Sequence, residues 1–163
     1  MNKINVFLIN TNRYLFLLII ICFGVVLNIG MSLFVYHFFE VNLGGENETS
    51  FFSSLTSEYI MVVFLAPLIE TAIFQYLFIV MLLKRFIKKV TLNYMLLLIM
   101  ISSLLFAMIH IYSFFYFLIA FIMGLYLGYI TLLSEFFREK KINVFISVFL
   151  THSMINLVAM LLD

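Results

Sequence analysis

Five uninterrupted apolar runs decide what this chain can fold into: Tyr14–Phe39, Tyr59–Leu83, Thr91–Tyr112, Phe114–Leu133 and Ile142–Leu162. A helix needs roughly 20 residues to cross a hydrocarbon core about 30 Å thick, and each run supplies them. In lipid the backbone must satisfy its own hydrogen bonds, and these runs lack the alternation that barrel strands require, which leaves helices. Composition agrees. Of 163 residues, 66% are hydrophobic and 10% charged, against about 45–50% and about 25% in soluble domains. A small globule cannot hide that excess. The expectation is an all-α polytopic transmembrane bundle of about five spans, one membrane domain over residues 1–163 with the lipid bilayer as its solvent. The first run exceeds a signal-peptide core and no A-x-A-like cleavage site follows it, so it is expected to remain as the first helix.

Charge placement tests the span count. All nine basic residues fall in three segments: Lys3 and Arg13; Lys84, Arg85, Lys88 and Lys89; Arg138, Lys140 and Lys141. With five spans all three lie on one side. The segment between the first two runs carries Glu40, Glu46, Glu48 and Glu58 without a single Lys or Arg, and Asp163 follows the last run. The excess of Lys and Arg on cytoplasmic loops then predicts a cytoplasmic N-terminus and an outer C-terminus. A net charge of +1 excludes a general nucleic-acid surface. The single cysteine, Cys22, excludes an intrachain disulfide. Abundant Asn, Lys, Ile and Phe point to a bacterial cell membrane.

One acidic residue, Glu70, stands deep within a run, where it costs at least about 2.5–3.5 kcal/mol on insertion scales. Such groups face the bundle interior and usually serve function. His110 and His152 lie on two other runs, whereas His37 sits near the end of the first, where interfacial solvation accounts for it. His152 and Asn156 share a face at i,i+4, as do Phe106 and His110. Pro67 removes a backbone donor and is predicted to leave the carbonyl of Val63 without its usual partner. On straight, vertical helices His110 would lie about 10 Å farther out than Glu70.

The order of these residues resembles the CPBP family, the CAAX proteases and bacteriocin-processing enzymes also called Abi proteins. Its motifs E-E-x-x-x-R, F-x-x-x-H and H-x-x-x-N correspond to Glu70-Thr-Ala-Ile-Phe-Gln75, Phe106-Ala-Met-Ile-His110 and His152-Ser-Met-Ile-Asn156. The similarity spans about residues 58–162 and includes the helix bearing Gly124 and Gly128, glycines whose i,i+4 spacing suits close helix approach. Two positions depart from the family: Thr71 stands at its second Glu and Gln75 at its Arg. The resemblance implies an intramembrane endopeptidase acting on a hydrophobic peptide or lipidated protein, with Glu70 activating water. His110, His152 and Asn156 would stabilise the oxyanion, and Gln75, Thr71 and Phe106 would orient the base or the substrate. Glu70, His110 and His152 also match a catalytic zinc set, for which no H-E-x-x-H spacing gives support; the resemblance implies a glutamate site without cofactor. The rival readings are an inactive member serving as a bacteriocin immunity factor or membrane scaffold, and a small transporter, for which no inverted repeat is found.

The orientation is testable by labelling. In a cysteine-free (Cys22→Ser) chain, Glu48→Cys is expected to react with an impermeant maleimide in intact cells. Lys88→Cys should react only after permeabilisation.

Overall fold

The computed structural model describes residues 7–8, 10–40, 55–86, 91–137 and 142–162. They contain no strand and form five long helices. We label these α1 (Arg13–Phe39), α2 (residues 55–86), α3 (Leu92–Met108), α4 (Phe114–Leu132, continued by Leu133–Phe137) and α5 (Val144–Leu162). The protein is thus a polytopic helical membrane bundle: four helices are long and apolar enough to cross a bilayer, and α3 is a shorter apolar one of 17 residues.

Polar residues at the helix starts explain where the helices begin. Asn12, Thr91, Ser113 and Asn143 each accept a hydrogen bond from a backbone N–H three residues on, at 2.9, 3.5, 3.1 and 3.1 Å. These side chains satisfy donors that the first helical turn leaves without partners. The Ser113 cap also ends the third apolar run early. Its extended backbone (φ −150°, ψ 167°) cannot belong to a helix. The expected span to Tyr112 therefore stops at Met108, and residues 109–112 form the turn of a tight α3–α4 hairpin. His110 lies just beyond the α3 helix, not within it, its N–H donating to Ala107 O at 2.9 Å.

The second run departs from simple α-helix. In α2 the segments Ile60–Leu65 and Thr71–Met81 are wound as π-helix, on either side of the α-helical Ala66–Glu70 that contains Pro67. Wide turns of this kind let a helix absorb an irregular hydrogen-bond register, and they recur at functional sites.

Packing is densest where side chains are smallest. A Cβ on Gly124 would stand 3.0 Å from Ser103 Cα, and one on Gly128 would stand 3.0 Å from Ile99 Cγ2, so both glycines set the approach of α4 to α3. α1 is held in a similar way. A Cβ on Gly24 would meet Tyr126 and Ile155 at 2.7 and 2.8 Å, and the Tyr126 hydroxyl donates to Ile20 O. The helices alternate in direction. Phe16 and Ile20 of α1 cluster with Val80, Ile130 and Val148 from the end of α2, the end of α4 and the start of α5. Arg13, Lys84 and Arg85 belong to this end, where Lys84 pairs with Glu135. The remaining basic residues, with Glu46, Glu48 and Asp163, lie outside the described residues. Large apolar side chains such as Leu18, Phe34, Leu97 and Ile122 are exposed, facing the lipid that these helices require.

Gly124→Val is expected to lower stability by about 1–3 kcal/mol, because the added atoms meet α3 backbone that cannot move aside. Gly30→Ala, with nothing within 4 Å of the new carbon, is expected to be neutral or stabilising. Unfolding of both variants in detergent checks the contrast.

Candidate active site

The site begins with a carbonyl. The N–H of Ala66 reaches back five residues to Met61 O. In that register the missing N–H of Pro67 belongs to Val62, so Val62 and not Val63 carries the unpartnered carbonyl. Asn156 fills the gap: its Nδ2 donates to Val62 O at 2.9 Å, tying α5 to α2. Ser102 makes a second such tie, its hydroxyl donating to Phe74 O at 2.6 Å and fixing α3 against the π-wound part of α2. Glu70 lies on α2 between Val62 and Phe74, held from both sides.

Its carboxylate sits between two imidazoles from other helices. Oε1 lies 3.8 Å from His110 Nε2, and Oε2 lies 3.5 Å from His152 Nε2. The depth mismatch expected for His110 closes because the chain turns after Met108, allowing the ring to fold back along α3. There Nδ1 donates to Phe106 O at 2.8 Å. That bond puts a proton on Nδ1 and leaves Nε2 directed at the carboxylate. Phe106 packs against both imidazoles, at ring-centroid distances of 4.5 and 5.6 Å. Tyr116, from the start of α4, stacks over His110 at 6.1 Å. Tyr116 and Ser102 escape a sequence search for ionisable groups, since neither an aromatic nor a serine is unusual in a membrane helix.

His110, His152, Asn156 and Phe106 line a cavity of about 380 Å³ at the end of the bundle away from Arg13 and Lys84. Asn28, Ser32 and Tyr36 of α1 line its opposite wall. Glu70 does not line it, and neither do Thr71 and Gln75. The latter two are buried on α2, only 1% and 2% exposed, and Thr71 Oγ1 and Gln75 Oε1 lack hydrogen-bond partners among the described residues, as do Glu70 Oε2 and His152 Nδ1. His37 is exposed, far along α1.

The two Nε2 atoms address different oxygens of one carboxylate, and among the described residues no three His, Cys, Asp or Glu side chains form a group placed to hold an ion.

Fold and site together define a helical membrane protein with a carboxylate and two imidazoles meeting at membrane depth. Residues 52–158 match the family described as type II CAAX prenyl endopeptidase, Rce1-like, and the chain belongs to that family of CAAX-type intramembrane proteases. The α1 helix precedes the matched segment. No curated protein and no solved structure matches the chain.

Asn156→Leu leaves the half-buried Val62 carbonyl unpaired, so a loss of about 0.5–1.5 kcal/mol is expected. Asn156→Asp, which cannot donate when ionised, should not restore it. Thermal unfolding in nanodiscs measures both.

Proposed function

We propose that the protein is an endopeptidase hydrolysing a peptide bond of a hydrophobic membrane peptide or lipidated protein, with Glu70 as the general base. The observation that carries this reading is the carboxylate bracketed by His110 and His152 beside the cavity. Glu70 takes a proton from water as the water oxygen bonds to the scissile carbonyl carbon. His152 and Asn156, four residues apart on α5, donate to the oxyanion; Asn156 has a second N–H beyond the one given to Val62. The proton on Glu70 passes through His110 Nε2 to the departing amine nitrogen as the C–N bond breaks. His110 suits this step because its Nδ1–H, fixed on Phe106 O, leaves Nε2 free to accept and return a proton. Thr71 and Gln75 follow Glu70 on α2 as buried neutral groups. No metal enters the scheme.

The basic segments give this site a side. Arg13, Lys84 and Arg85 lie at the opposite end of the bundle, so an N-terminus in the cytoplasm turns the cavity toward the outer face of a bacterial membrane.

Glu70→Gln keeps the shape but cannot take the proton, and a positioned base is typically worth about 10²–10⁴-fold. Cleavage of membrane-inserted peptides by the purified protein in proteoliposomes should therefore fall by at least about 10²-fold in Glu70→Gln, and a zinc chelator should leave the intact protein unchanged. Full activity in Glu70→Gln would refute the assignment. Unaltered cellular phenotype with Glu70→Gln would instead favour the immunity or scaffold role suggested by Thr71 and Gln75.

A further inference from the structure

α1 lies outside the family match, yet it furnishes one wall of the cavity, and that wall carries a stripe of polar side chains. Asn28, Ser32 and Tyr36 recur every four residues on an otherwise apolar stretch and all line the cavity. An asparagine at mid-helix depth is costly in lipid and needs a partner. Asn156, the comparable residue on α5, has one in Val62 O. Asn28 and Ser32 have no hydrogen-bond partner among the described residues. Ser32 also fails to follow the common local habit. Ser103, Thr131 and Thr151 each turn their hydroxyls onto the carbonyl four residues back, at 2.7, 2.8 and 2.8 Å. The close approach at Gly24, one turn earlier, together with the Tyr126–Ile20 bond, holds α1 against α4 and α5 so that this stripe meets the site.

We propose that Asn28 and Ser32 form a rail that binds the main chain of an extended peptide substrate, resting on the peptidase reading above. Spacing and chemistry select this ligand. Residues i and i+4 of a helix are about 6 Å apart along its axis. Alternate residues of an extended peptide, which direct their N–H and C=O groups to the same side, repeat at about 6.6–6.8 Å. A carboxamide carries a donor and an acceptor together, as does a hydroxyl, so each matches the N–H and C=O of a peptide and neither needs a particular side chain. The pairing resembles strand addition, with a helix stripe standing where the sheet edge would be. His110, His152 and Asn156 then face the chain from the other wall. The apolar lining from Ile29, Leu33, Met123 and Ile155 receives side chains. Asn28 and Ser32 are binding and positioning residues; they perform no chemistry.

Binding separates this role from catalysis. A pool of end-capped, dansylated apolar octapeptides is titrated against the Glu70→Gln protein in nanodiscs, where nothing is turned over. Adding Asn28→Leu is expected to raise Kd about 10-fold, the loss of roughly one buried hydrogen-bond pair. Ser32→Ala, which barely changes volume, should raise it about 3-fold. Replacing single amides of a binding peptide by esters removes one N–H at a time. At one position or at two alternate ones this should weaken binding to the Asn28 protein but not to Asn28→Leu. In the catalytic background both substitutions should raise KM with little change in kcat. Peptide affinity within 2-fold in both variants, with no ester position distinguishing them, overturns the rail while leaving the peptidase standing. If no peptide binds and the unmutated protein cleaves none, the peptidase reading and the rail fall together.

Discussion

A bilayer core offers no hydrogen-bond partners, so each polar group at that depth must be satisfied by the protein itself. Much of this bundle's tertiary structure answers that single demand. The proline in α2 strands the carbonyl of Val62, and Asn156 reaches from α5 to meet it. The π-wound turns expose Phe74 O to Ser102 of α3, and the Tyr126 hydroxyl pins α1 to α4 through Ile20 O. Hydrophobicity puts the helices in lipid but cannot sort one apolar face from another. The polar ties and the glycine contacts choose the neighbours, and the Glu70 cluster sits among them.

The apolar runs made the number and rough extent of the helices readable, because membrane thickness fixes their length and lipid allows no alternative backbone. Winding was not readable. Pro67 signalled a freed carbonyl, but naming Val63 assumed α-helical register, and the five-residue register of this turn moves the vacancy to Val62. The third helix ends before Tyr112 for a reason that is visible in hindsight: Ser113 followed by an aromatic run is a capping signal inside an apolar stretch. His110 then reaches Glu70 from a turn, a geometry no straight-helix argument supplies. Asn28 and Ser32 went unread because a search for ionisable groups passes over neutral amides and hydroxyls, and only the cavity shows that they line the same space as the histidines.

The departures at Thr71 and Gln75 make electrostatic sense once both are seen buried. A second carboxylate and a guanidinium at 1% and 2% exposure would each require full desolvation, and a buried ion pair offsets that cost only with excellent geometry. Replacing both by neutral groups keeps the local charge balance and leaves Glu70 as the acidic residue of the cluster.

The Glu70 cluster draws its three members from α2, the turn after α3, and α5, so no single inserted segment carries a working site. Spans enter the membrane in sequence during synthesis, and the last described helix brings His152 and Asn156. Until it docks, the carboxylate lacks one imidazole and the Val62 carbonyl lacks its cap. Under the proposed chemistry, a chain arrested before α5 is therefore inert, and hydrolytic competence comes only with the completed bundle. The proposed chemistry is thus divided among helices that meet only late in assembly, and a partly inserted chain holds no complete copy of it.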